Sequence, residues 1–409
     1  MVDDKRTASI TIDGETDWTL RTAEIVEAMC SPGLIVADVE KANASVVPEE
    51  MLGKWLSITV PTLLDSRPTR FSGGVITNWE TVEGSSNLEH STTYRIHASS
   101  PMALMSLRRQ TRQFDAKSTL QVCEQVFDEW YPRVPVNTQG PLLVVDKEPC
   151  NITLQNVRQL NETDLDFALR LMHESGIFCV TLNEGMEASE CELNLGTFSG
   201  GAKPWANDLD LRFDPTVTLT SIDHHLTRWR RAARLGPNVA VIATWHPSVA
   251  DNLSPSNPHA MRVPPTSSEF EGWQFVDHPL GTPMAGAHMG ELRDQLSRVR
   301  ELALRQERHW RHGLTTSPAI VPGFTIDPSE LPDDDEGPFL VTSTRQLVVG
   351  AALGELLDVD DPVQCSFNAL PRHVPFRPPI RPERLDPPEL DDGQLAQALD
   401  RHLQPEGAS

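Results

Sequence analysis

The sequence predicts an α+β chain in which strands dominate. Three observations carry this. In the first hundred residues, short β-prone runs alternate with Gly, Pro, Asn and Ser clusters. Between 101 and 130 the apolar period changes to that of helices, and 116–190 reads as a mixed α+β unit. Beyond a Gly-rich loop at 196–202, strand-like runs return.

Taken in order, Ile10 and Ile12 alternate with Ser9 and Thr11, and Leu34 to Glu40, Trp55 to Val60, Phe71 to Trp79 and Thr92 to Ala98 add further strands. Strands of this length with such punctuation suggest a small antiparallel barrel or sandwich. Pro101 to Leu107 reads as a helical turn. Ser118 and Gln121 form a capping box, after which Leu120, Cys123, Val126, Phe127 and Trp130 mark an amphipathic helix.

The stretch RQLNETDLDFALRLMHESGIF at 158–178 reads as strand end, turn, helix and strand start. Thr163 is the expected N-cap with Asp166 three residues on. Glu162, Asp164 and Asp166 lie at the positive end of the helix. Leu165, Ala168, Leu169 and Met172 form its apolar stripe, and Gly176 supplies the left-handed stop. Each acidic residue therefore has a structural role, and Leu165, Leu169 and Met172 are expected to pin this unit to its neighbours. Ile177 to Leu182 then reads as a strand.

Further strands are expected at Val217 to Ser221, Val239 to Trp245, 319–326, 338–347 and 363–369, an exposed loop at 247–269, and a long helix from Met289 to Trp310. The segment from Pro371 onward is proline-rich and acidic, with Leu395, Leu399 and Leu403 at helical spacing near the end.

Bulk properties narrow the function. The 409 residues carry a net charge of −23, which opposes binding to nucleic acid or anionic membranes. The six cysteines are scattered, with no C-x-x-C pair, and Cys123 and Cys179 fall in apolar runs. Buried thiols and synthesis in a reducing cytoplasm are expected. No signal peptide or membrane-spanning run is evident.

Motifs for chemistry are weak. His224 and His225 in Asp223-His224-His225 would point to opposite faces of a strand, which disfavours a shared metal. His309 and His312 would lie near each other on a helix, but no further ligand completes a set. Ser199 sits in a G-x-x-S-G run with the wrong spacing for a nucleophile elbow. No phosphate loop occurs. The run Asp333 to Glu336 lacks calcium-loop spacing and reads as a solvated turn. Catalytic, cofactor and metal residues are therefore all expected to be none. Arg228, Arg230, Arg231 and Arg234, with Trp229 among them, form a basic run suited to an acidic face of the same chain or another copy rather than to nucleic acid.

The order of blocks resembles the N-terminal hub region of VgrG, the spike protein of type VI secretion systems, itself similar to the baseplate hubs of contractile-tailed phages. Gly53 to Val60 with Arg70 to Val75 looks like a family hairpin. Tyr94 to His97 with Ala98 to Leu107, and Arg108 to Phe114 before the helix near Ser118, follow in register. The 158–178 stretch is the most specific block. Leu314 to Phe324, Phe339 to Thr342, and Phe367 to Pro371 with Phe376 to Pro379 complete a resemblance over roughly residues 1–380.

That resemblance implies two small β-barrel-like domains with α+β insertions: a first barrel in 1–115, an α+β domain in 116–210, a second barrel in 211–375 with an insertion at 247–315, and a proline-rich acidic tail at 376–409. It also implies a homotrimeric, non-enzymatic adaptor that matches a hexameric tube protein to a threefold needle, made in the bacterial cytoplasm and expelled by the machine. Family spikes continue into an oligonucleotide-fold domain and a needle, so the needle is expected to be truncated here or to be a separate chain. A phage or prophage tail hub, an adaptor gripping cargo through its tail, and a hydrolytic or metal-dependent effector on the same scaffold are the competing readings.

Overall fold

The computed structural model describes residues 7–42, 46–82, 91–130, 133, 136–137, 153–197, 199–216, 224–234, 239–242, 259–262, 274–277, 282–283, 288–332, 335–356 and 363–379. The strand expected at Val217 to Ser221, most of the 247–269 loop and nearly all of the tail lie outside these residues.

One sheet of twelve strands forms two rings. The first ring runs β1 (Ser9–Ile12), β4 (Trp55–Pro61), β5 (Thr69–Val82), β6 (Ser91–Ser99), β3 (Leu34–Ala42), β2 (Trp18–Ala28) and β20 (Phe339–Val349), each pair antiparallel. A bridge between Ala8 and Gly350 closes it. The second ring continues from β20 through β21 (Val363–Pro371), β18 (Trp310–Thr315), β13 (His225–Ala232) and β12 (Arg212–Phe213). Arg212 bridges Ser329, just beyond β19 (Thr325–Ile326), and β19 pairs back to β20. Ring closure removes exposed sheet edges.

β20 is the common wall. On one side it pairs with β21 along most of its length; on the other it pairs with β19 through Phe339–Leu340 and with β2 through Ser343–Val349. Val348 accordingly joins the first barrel's core, and Phe339 and Val341 join the second's. Gly350 sits where the first ring closes, and its N–H donates to the Arg21 carbonyl at 2.8 Å. A Cβ there would stand 1.8 Å from the Leu20 carbonyl oxygen, so only glycine fits.

The α+β unit lies between and beside the barrels. β7 (Arg109–Ser118) pairs with β9 (Thr153–Thr163), whose other edge takes β17 (Thr282–Pro283). α2 (Thr119–Asp128) and α3 (Asp164–Ser175) supply its apolar faces, and β10 (Phe178–Asn183), β11 (Cys191–Gly196) and β8 (Val136–Asn137) form a small sheet. The Met29 N–H donates to the Thr342 carbonyl and the Gly323 N–H to the Val341 carbonyl, both at 2.9 Å, tying the unit's core to β20. A third small sheet, β15 (His259–Arg262), β14 (Val239–Ile242) and β16 (Gln274–Asp277), lies against α4 (His288–Gln306). α1 (Pro48–Met51) and α5 (Ala351–Leu356) are short.

Several expectations are corrected. The long helix ends at Gln306, and Trp310 begins β18, where Trp310 and Arg311 are buried in strand pairing instead of continuing a helical stripe. The run 319–326 holds only a two-residue strand; its apolar residues are buried in a turn-rich segment, which mimics a strand in composition. The loop expected at 247–269 contains β15, since pairing with β14 overrides its polar composition. Several strands have no signal in the sequence, β2 and β7 the longest among them. In β2 the register shifts between Leu20 and Thr22, so the buried phase moves from Trp18 and Leu20 to Ala23 and Ile25 and no single alternation runs through. In β7 the strand interior buries only Phe114.

Candidate functional site

The α3 module is assembled from local rules. Thr163 Oγ1 accepts the Asp166 N–H at 3.0 Å and donates to Asp166 Oδ2 at 2.7 Å. This satisfies one of the helix's orphan donors and fixes its start. Gly176 ends the helix at φ +71°, with the Ile177 N–H closing back on the Met172 carbonyl at 2.8 Å. Leu165, Ala168 and Met172 are buried, and Leu169 is half-buried and packs against the same cluster. Phe167 and Leu171 also face inward; Phe167 stacks on Phe114 at 5.7 Å. Their neighbours at 164, 168 and 172 are inward too, so the buried face is wider than the stripe read from spacing.

Asp164 does more than favour the helix dipole. Its side chain is wholly buried and accepts from Arg108 Nε (2.5 Å), Gln159 Nε2 (2.9 Å), Trp130 Nε1 (3.0 Å) and Arg112 Nη2 (3.1 Å). Glu129 bridges the same two arginines at 2.5 and 2.6 Å. Burial pushes the Asp164 carboxyl upward, but the Gln159, Arg108 and Trp130 donors outweigh it and hold it below the usual range. The network ties β7, α2, β9 and α3 together. Local sequence gave no sign of it, because its partners are distant in the chain.

The arginine run lies on β13 in the wall of the second barrel. Trp229 points into the core against Phe339 and Phe367. Strand alternation therefore puts Arg228 and Arg230 on the opposite face from Trp229 and Arg231. Arg231 and Arg234 are exposed near the strand's end, and the Arg234 N–H donates to the Glu307 carbonyl. Beside Trp229, Arg311 grips Asp335 with Nε at 2.5 Å and Nη2 at 2.8 Å, and Trp229 Nε1 donates to the same carboxylate at 3.0 Å. Burial works against the Asp335 carboxylate, yet Arg311 and Trp229 hold its carboxyl below the ordinary value.

The residues considered for chemistry are dispersed. His225 is in β13, and His224 Nδ1 lies 2.8 Å from Ser317 Oγ. His312 sits in β18 with Nδ1 2.5 Å from Asn368 Oδ1, while His309 faces His373 across 6.5 Å, so the pair shares no helix. Burial, then His373 and the nearby arginines, depresses the His309 pKa. Ser199 Oγ accepts the Phe376 N–H at 2.8 Å. Phe376 is fully buried against Phe178, so the proline-rich segment begins inside the core. Of the acidic run, Asp335 belongs to the Arg311 pair; Asp333 and Asp334 lie outside the described residues. Five cysteines are free and buried, with Cys150 outside the described residues. Among the described residues, no three His, Cys, Asp or Glu side chains converge as a metal set, and no helix is long and apolar enough to cross a membrane.

Residues 26–351 match the profile of the phage tail baseplate hub (GPD) family. The fold is shared with the Escherichia coli c3393 protein, a type VI secretion component with structural similarity to the T4 tail proteins gp27 and gp5. That match has 17% identity and a TM-score of 0.61, covering 91% of this chain and 80% of the other. A tail protein from Neisseria meningitidis MC58 matches at 9% identity and TM-score 0.60, covering 90% and 98%. The 43 kDa tail protein of prophage MuSo2 from Shewanella oneidensis matches at 10% identity and TM-score 0.53, covering 91% and 100%. No curated protein sequence gives a significant match.

Proposed function

The chain belongs to the phage tail baseplate hub (GPD) family, and from that premise we propose that it is the structural hub at the spike base of a contractile injection machine, a phage tail or a type VI apparatus. Three copies form a closed ring and perform no turnover. The observation that carries this reading is the pair of strand rings sharing β20 within one chain. Two similar barrels per chain give a trimer six near-equivalent faces, which suits a hexameric tube on one side and a threefold needle on the other. Head-to-tail contacts that close under rotation are the physical requirement.

The exposed arginine end of β13 meets an acidic surface of a neighbouring copy in this assembly, since the chain as a whole carries −23. The test is mass in solution by light scattering, with and without the cognate tube protein, followed by imaging of any ring. A trimer with sixfold pseudosymmetry is expected, and Arg231→Glu with Arg234→Glu should lower its yield. A monomer in both conditions sinks the proposal.

A further inference from the structure

The turn after β2 and the second residue of β10 bring two distant cysteines together at the seam between the first barrel and the α+β unit. The Cys30 N–H donates to the Cys179 carbonyl at 2.8 Å, so their backbones stand as direct partners. That contact fits the roughly 4.4–6.8 Å between Cα atoms that a disulfide spans. Both side chains are buried in one apolar cluster, close enough that each thiol shifts the other's ionisation.

A third group points to chemistry rather than packing alone. His173, in the last turn of α3, is 5% exposed, and neither ring nitrogen makes a well-formed hydrogen bond. Its neighbour is the Cys30 thiol. Burial opposes a thiolate at Cys30, but the Cys179 thiol and the His173 ring outweigh it and draw Cys30 down to about 5. Cys179 moves well above its ordinary value, first through the Cys30 thiol beside it and then through burial. One sulfur is thus poised to attack while the other keeps its proton. Cys30 is 9% exposed and Cys179 1%, and a cleft lined by their chain neighbours Ser31 and Val180 opens beside them without including either thiol.

We propose that Cys30 and Cys179 form a reversible dithiol–disulfide site, oxidised by small-molecule disulfides, that fastens the first barrel to the α+β unit. The Cys30 thiolate attacks one sulfur of the reagent, forming a mixed disulfide and expelling one reagent thiolate. Cys179, as its thiolate, then attacks the Cys30 sulfur, expelling the second. The two protein thiols are oxidised, the reagent is reduced to two thiols, and the two protein protons end on them. The closed link spans roughly 150 residues, a length at which a cross-link restricts the unfolded chain strongly.

The experiment equilibrates the full chain in graded mixtures of 2-hydroxyethyl disulfide and 2-mercaptoethanol, then denatures it, alkylates free thiols and maps peptides. The expected result is a loss of two hydrogens, two fewer alkylated cysteines and a Cys30–Cys179 cross-linked peptide. The melting temperature rises with it, and dithiothreitol reverses both changes. Cys123→Ser should leave the cross-link intact, although Cys123 is the third thiol near Cys179. Cys30→Ser and Cys179→Ser should each abolish it; the wild-type peptide map stands even if a variant fails to fold. Six alkylated cysteines after oxidation, a Cys179–Cys123 link, or a reagent adduct that stays on Cys30 without closing would each overturn the proposal.

Discussion

In the first barrel, Trp18, Trp79 and Tyr94 meet with ring centroids 5.2 to 6.1 Å apart; in the second, Trp229 meets Phe339 and Phe367 at 4.9 and 6.2 Å. The two clusters are alike in size and geometry, but they differ in how their polar edges are satisfied. The buried indole N–H groups of Trp18 and Trp79 find no acceptor among the described residues, whereas Trp229 donates to Asp335, which Arg311 also grips. The first cluster is held by burial, which has no direction; the first barrel's own buried ion pair, Arg70 with Glu27 at 2.6 Å, lies at the far ends of β5 and β2 from it. The second adds a directional ion pair that fixes how the ring sits. Two barrels built around one strand can therefore differ in their response to acid and to single polar substitutions while sharing one point of failure.

That common point gives the largest predicted effect. Gly350→Val places a branched side chain where even a Cβ would lie 1.8 Å from the Leu20 carbonyl oxygen. The loss should be about 3 kcal/mol or more, read as a shift in the urea midpoint or as loss of soluble protein. Because β20 serves both rings, both aromatic clusters should loosen together. Loss of one near-ultraviolet signal without the other would mean that the barrels are more independent than the shared wall implies.

Next comes the ion pair inside the second barrel. Asp335→Asn leaves Arg311 buried with a neutral partner and should cost about 2–3 kcal/mol at pH 7. The pH dependence has a definite sign. The folded chain holds the Asp335 carboxyl below its ordinary value, so the unfolded chain binds the proton more readily. The contribution is therefore full above the unfolded value near 3.9 and is lost as pH falls through the lower folded value. Asp164 behaves in the same direction in the α+β unit. Below about pH 4 the fluorescence of Trp229 should change before that of Trp79, and Asp335→Asn should remove the share of acid sensitivity that belongs to the second barrel. Simultaneous change in both signals would break the contrast.

How much of this was legible in the sequence follows from where each contact lies along the chain. The α3 module was readable because cap, stripe and stop fall within fourteen residues, Thr163 to Gly176. Five strands of the first barrel were readable as β-prone runs set off by turn residues, and even β5, with a bulge between Ile76 and Asn78, keeps one alternation up to Ile76. β2 was not, because its bulge switches the buried phase midway. The second barrel was harder still: β13 and β18 are neighbours in the wall but are separated in sequence by the β14–β16 sheet and α4, so no local pattern links them. The Asp164 network and the Arg311–Asp335 pair share this property. Charged residues that look like solvated surface in sequence become buried partners only when remote strands close. Likewise, the cysteines at 30 and 179 read as separate buried thiols until the turn after β2 meets β10.

A smaller effect separates the two aromatic clusters directly. Trp79→Phe removes an N–H that has no acceptor, so its cost is lost packing. Trp229→Phe removes similar volume and also takes a donor from Asp335. The second substitution should exceed the first by about 1 kcal/mol, since Arg311 still satisfies the carboxylate. Equal costs in chemical denaturation would show that the Trp229 bond adds nothing beyond packing.

The smallest effect asks whether burial, not geometry, sets the worth of an ion pair. Arg95 on β6 grips Asp38 on β3 at 2.8 and 2.9 Å, nearly the two-pronged geometry of Arg311 on Asp335. The side chains of the first pair are 47% and 25% exposed; those of the second are 5% and 10%. Water and salt screen the outer pair, so Arg95→Ala should cost under about 1 kcal/mol, and that cost should shrink in high salt. The corresponding truncation at Asp335 should keep most of its penalty in the same salt. Double-mutant cycles on the two pairs measure both numbers. If the Arg95 pair couples as strongly as the Arg311 pair, shape alone governs these contacts, and the Trp229 cluster gains nothing from the burial of its ion pair.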